Sequence, residues 1–228
     1  MKKYSLQAAA VCGLLWALSF PLFPEGVNAG LITVSPNWGV AGDYGTWTVT
    51  LRVGRVGIRQ GGGIRVQLPD SWHAGDRNSA NRLQATDPKT DHYVAAYCNR
   101  ADVQLQTRVE SESNAYLVKS RRSGLDGRRE RYVFVVRVEV VQGRLQEGDQ
   151  LQVRYGDTSG GSRGMRAAII STRPEPILVA VDTDGSGSFV LQSERPMLEA
   201  KAGPAHELML VGPSVLTVGQ TAELKLSV

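Results

Sequence analysis

Two cysteines and three histidines are all that this chain of 228 residues carries. Cys12 lies in an N-terminal apolar run, so Cys98 stands alone in the remainder, and no intrachain disulfide framework is available. Cys98 beside Tyr97 reads as a small buried hydrophobe in preference to a reactive thiol. His73, His92 and His206 are scattered, and only Asp87, Asp91 and His92 lie close enough to suggest a metal site; a solvated loop is the simpler reading. Charge of one sign is also scarce. A formal net charge of +4 falls to +3 once residues 1 to 29 are set aside, too mild to point to nucleic acid. After residue 29 no stretch sustains an apolar pattern at helical spacing over three turns, and none is long enough to span a membrane. What the chain does have is 42% hydrophobic residues and 25 glycines, enough apolar content for a core and enough turn residues to fold it back repeatedly.

The first 29 residues read as a secretory signal peptide. Lys2 and Lys3 precede an almost uncharged apolar run from Leu6 to Phe23, and Val27-Asn28-Ala29 puts small residues where a signal peptidase needs them. Pro21 and Pro24 interrupt the run and argue against a retained anchor, and Val11 before Cys12 is a poor setting for lipidation. The expectation is export to the periplasm or the extracellular space, cleavage after Ala29, and no transmembrane segment afterwards.

The rest of the chain is patterned at period two. Trp47, Val49, Leu51 and Val53 alternate with Thr48, Thr50 and Arg52, as a half-buried strand requires. The same alternation recurs at Ile64 to Leu68, Val103 to Val109, Leu151 to Tyr155 and Ala222 to Val228. Tyr132 to Val141 is apolar on one face and, at Val133, Val135 and Val141, on the ends of the other, which predicts a central strand. Gly-rich connectors at 54 to 63, 156 to 164 and 184 to 187 separate these runs. The expected fold class is all-β, an immunoglobulin-like β-sandwich over residues 30–203. Residues 204–228 read as the start of a second β module, incomplete in this chain.

Several segments, in order, carry a family resemblance. Thr46 to Gly63 with its Gly61-Gly62-Gly63 end, Ile64 to Trp72 with Pro69-Asp70-Ser71, Gln84 to Pro88, Tyr93-Val94, Leu145 to Asp149, Tyr155-Gly156-Asp157 with Gly160 to Gly164, and Gly212-Pro213-Ser214 with Val218-Gly219 together resemble the N-terminal β region of the bacterial family called domain of unknown function 3604. The resemblance spans residues 31 to 228 and consists of turn and strand signatures. It implies an exported protein whose full members resemble metal-dependent hydrolases of the histidinol-phosphatase-like kind, with His- and Asp-rich motifs beyond the β region. This sequence contains no such motif, so the resemblance carries over no catalytic residue.

Other short patterns invite chemistry. Gly156-Asp157-Thr158-Ser159-Gly160-Gly161 resembles the nucleophile loop of chymotrypsin-like proteases, and Val94 to Cys98 resembles their histidine segment. Thr158 is inserted in the first, and Tyr97 stands where the second needs a general base, so Ser159 has no evident proton acceptor. Gly61-Gly62-Gly63 precedes a strand and reads as a connector, not a phosphate cradle. Asp182 and Asp184 are the metal candidates: Asp182-Thr183-Asp184-Gly185-Ser186-Gly187 has oxygen ligands at alternate positions and a Gly at the sixth. Its twelfth position, however, is Ser193, and strand-like flanks favour a hairpin turn. Candidate ligand contacts are Arg121, Arg122, Arg128 and Arg129, in a run of six cations against two acids between Lys119 and Arg131, and Trp72, an indole that suits either a core or a sugar ring. No cofactor is expected. The sequence thus predicts a non-catalytic accessory segment, the N-terminal part of a larger metal-dependent hydrolase, with a free-standing extracellular glycan-binding module as the alternative. Its expected partner is an anionic glycan or a C-terminal domain of the same protein.

Overall fold

The computed structural model describes residues 29–72, 82–110, 134–204, 209–211, 218, 219, 221 and 225–227. Among these residues there is no α-helix, only one turn of 3-10 helix at Asp70–Trp72. The chain folds as a β-sandwich. One sheet has four antiparallel strands in the order β1 (Gly30–Ser35), β4 (Trp47–Val53), β9 (Gln150–Tyr155), β6 (Val94–Cys98). The other has five, in the order β13 (Val190–Leu191), β12 (Leu178–Asp182), β5 (Gly63–Gln67), β8 (Val135–Gln142), β7 (Gln104–Glu110). Minor pairings finish the structure. β3 (Tyr44–Gly45) pairs with β10 (Met165–Arg166), while β14 (Met197–Lys201) runs antiparallel to β11 (Glu175–Pro176) and parallel to β2 (Trp38–Val40).

The alternation in the sequence sets the register. Trp47 pairs with Tyr155, Val49 with Val153 and Leu51 with Leu151, so β4 and β9 present their apolar residues on one face. Ile64 lies between Val138 and Val181, and Val66 between Val136 and Val179. Both sets belong to one continuous core. The Tyr155 hydroxyl, fully buried, donates to the Val66 carbonyl at 3.3 Å and ties one sheet to the other; burial pushes this phenol well above its ordinary pKa.

β8 is an interior strand, flanked by β5 and β7, as its double-sided apolar pattern predicts. Its outward face is not uniform: Val135 is buried, whereas Val141 is 37% exposed at the strand's end. Trp47 is core, packed edge-on against Trp72 with centroids 4.8 Å apart, and its indole N–H donates to the Trp38 carbonyl at 3.1 Å. β15 (Met209–Val211) and β16 (Lys225–Ser227) pair with each other in an antiparallel hairpin.

Candidate functional site

With Val49, Leu51, Val153 and Leu151 turned into the core, the residues between them face outward. The register aligns them in two rows across the four-stranded sheet: Ser35, Thr48, Arg154 and Ala95 in one, Thr33, Thr50, Gln152 and Tyr97 in the other. Over this face lies an open cavity of about 480 Å³, bounded by Ser35, Thr46, Thr48, Thr50, Gln152 and Arg154 on the sheet and by Asp157, Thr158 and Ser159 on the loop after β9.

The loop is held by hydrogen bonds. The Tyr97 hydroxyl donates to Oδ2 of Asp157 at 2.5 Å, and the Ser159 amide donates to Oδ1 at 2.8 Å. Thr46 Oγ1 donates to the Gly156 carbonyl at 2.6 Å, joining the loop to the start of β4. Burial works against the charge of Asp157. The bonds from Tyr97 and Ser159, with the positive field of Arg154, outweigh it and hold the carboxyl below its ordinary pKa. The same geometry has the opposite effect on Tyr97: burial, and then its hydrogen bond to Asp157, push the phenol above its ordinary value. Arg154 lies over the Tyr97 ring, its guanidinium carbon 4.5 Å from the centroid.

The two segments that resemble protease motifs therefore do meet in space. They meet as a structural clamp. Tyr97 is held protonated and donates to Asp157, which also accepts from the Ser159 amide and hydrogen-bonds the Ser159 side chain; neither segment supplies the histidine that the protease motifs need.

The other sequence candidates fall elsewhere. Arg121, Arg122, Arg128 and Arg129 lie outside the described residues. Trp72 is only 2% exposed, its ring against Trp47 and not on the surface. Asp182 and Asp184 sit in the turn that joins β12 to β13, an antiparallel hairpin. Asp182 is buried, and its carboxylate accepts backbone N–H bonds from Asp184 at 3.2 Å, Gly185 at 2.9 Å and Gly187 at 2.7 Å. Asp184 accepts the Ser186 amide at 3.1 Å. These bonds shape the turn, and Gly185 and Gly187 supply the positive φ that it requires. Among the described residues no group of three or more His, Cys, Asp or Glu is placed to hold a metal ion. Cys98 is half-buried against the core, its thiol 3.3 Å from the Arg100 carbonyl.

Sequence reasoning did not single out Tyr97, Arg154, Gln152, Thr48 and Thr50 as a site. The available signal was the polar half of the alternation in β4 and β9, which by itself marks only a solvated face. Neither a family model nor a curated protein matches the chain.

Proposed function

We propose that this chain is a non-catalytic β-sandwich module of an exported protein, and that the outer face of its four-stranded sheet binds an extracellular glycan. The observation that carries the reading is the chemistry of that face. It offers hydroxyls from Ser35, Thr48 and Thr50 and an amide from Gln152 around one open cavity, with the clamped aromatic Tyr97 paired beside Gln152 on the next strand. Threonine and glutamine groups on rigid strands suit the donor and acceptor pattern of a sugar, and their spacing is fixed by the sheet register. A non-catalytic role is supported by the engagement of Asp157 and the protonation of Tyr97.

The test is binding of the purified chain to an array of plant, bacterial and animal glycans. Retention on at least one glycan class, lost in Gln152→Ala combined with Thr50→Ala while thermal stability is kept, is the expected result. No retention on any class overturns it. That the module is accessory to a metal-dependent hydrolase rests on the resemblance to the domain of unknown function 3604 family. A transcript that reads past Val228 into a His- and Asp-rich segment is the observation that tests it.

A further inference from the structure

We propose that the glycan bound on this face is anionic, and that its carboxylate or sulfate group docks on the guanidinium of Arg154. The inference rests on the glycan-binding reading and names the class of ligand. Arg154 occupies the middle of its row, between Thr48 on β4 and Ala95 on β6. Among the described residues no ion pair includes it. Its side-chain contacts are one long hydrogen bond, Nη2 to Oε1 of Gln152 at 3.4 Å, and the face of the Tyr97 ring.

The carboxylate that lines the same cavity is already committed. Asp157 is 3% exposed, with Oδ2 taken by the Tyr97 hydroxyl and Oδ1 by the Ser159 amide. It lowers the local field without capturing the guanidinium in a paired fork. A guanidinium has five N–H donors, and with its carbon over the Tyr97 ring the one hydrogen bond it makes among the described residues is from Nη2 to Gln152. Two parallel N–H bonds donated to a carboxylate or sulfate are the strongest pairing open to a guanidinium.

A neutral sugar makes poorer use of the same face. Ser35, Thr48, Thr50 and Gln152 serve its hydroxyls equally well, but covering Arg154 with neutral groups strips water from a cation that no carboxylate pairs directly, Asp157 acting on it only through its field, and this is costly. An anion placed on Arg154 removes that cost, and the surrounding hydroxyls then bind the rest of the ring. Tyr97 acts here as a positioning residue, holding Arg154 over its ring and, through Asp157, anchoring the loop that walls the cavity.

Calorimetric titration of the full chain with three oligosaccharides of matched length separates the outcomes: oligogalacturonate, sulfated galactan and unsubstituted galactan. One acidic probe is expected to bind about tenfold or more tightly than the neutral one, and the stronger of the two tells carboxylate from sulfate. Arg154→Gln should abolish that preference, Arg154→Lys should retain part of it, and added salt should weaken it. Thermal midpoints of the variants are measured alongside, so that a folding defect is recognised. Equal affinity for all three probes, or a preference that survives Arg154→Gln, overturns the anionic assignment while leaving the glycan reading intact. Failure of every glycan on the array overturns the glycan reading itself.

Discussion

The backbone amide of Ala29 donates to Oε1 of Gln192 at 3.0 Å, a buried bond between residues 163 apart in the chain. Ala29 is 2% exposed, and its carbonyl accepts the Gly54 amide at 2.7 Å. Three residues on, the Ile32 amide donates to Oε2 of Glu194 at 2.9 Å. The segment that holds Gln192 and Glu194 thus lies along β1, occupying backbone donors that an open edge strand would offer to another chain.

This contact makes Ala29 part of the folded domain, and it bears on the proposed cleavage after Ala29. Cleavage after Ala29 removes the methyl from the core and leaves Gln192 Oε1 and the Gly54 N–H without these partners. A chain beginning at Gly30 should be less stable than one beginning at Val27 by about 1–3 kcal/mol, the cost of orphaned buried polar groups. Urea unfolding of the two forms measures the difference. Equal stability would remove Ala29 from the fold.

Trp47 and Gly39 are locked together. A Cβ at position 39 would lie 2.5 Å from Cζ2 of the Trp47 ring, too close for any real contact. Gly39→Ala should therefore cost about 1–3 kcal/mol by overpacking. Trp47→Ala should cost about 3–5 kcal/mol by opening a cavity. Because both act through one ring, the double variant should be more stable than the sum of the two losses predicts. Strict additivity in denaturant midpoints would count against the contact.

His92 gives the fold an acid-sensitive point. It has φ of 63° and is buried, its ring is edge-on to Tyr44 at 6.0 Å, and its Nε2 has no hydrogen-bond partner. Burial lowers its pKa; Asp91 opposes the shift, and Arg163 and Arg166 add to it. An unfolded His92 titrates near 6.5, so below that pH the unfolded chain takes up a proton that the folded chain refuses. Stability should fall as pH drops from about 6.5 toward the depressed folded value, with no contribution from this group to the slope above 6.5. Denaturant unfolding at a series of pH values should show that slope in the native chain and a flatter one in His92→Gln, whatever the variant's absolute stability.

Asp182 acts as a turn-former. Asp182→Ala should destabilise by about 1–3 kcal/mol, since it deprives three backbone amides of their acceptor. Chelator and excess calcium should leave the thermal midpoint of the native chain unchanged. A site occupied at about 100 times its dissociation constant would instead add roughly 2.7 kcal/mol.

Much of the sandwich was legible locally. The period-two runs at Trp47 to Val53, Leu151 to Tyr155 and Ile64 to Leu68 became strands with the expected faces inward, because a strand's two faces are written in consecutive residues. The same logic marked Asp184-Gly185 as a turn between strands, and β12 and β13 pair across it.

What the sequence by itself determined is therefore the all-β class, the strand faces and most of the core, since each depends only on neighbours one or two residues away. Tertiary structure decided which strands are adjacent and what lies over them. Tyr97 and Asp157 are 60 residues apart and meet because β6 and β9 pair. Trp72, suited by composition to a core or a surface, is buried because β4 brings Trp47 against it. Ala29 belongs to the domain because Gln192 reaches it. Each of these relationships depends on the pairing and stacking of distant segments, and no local periodicity encodes them.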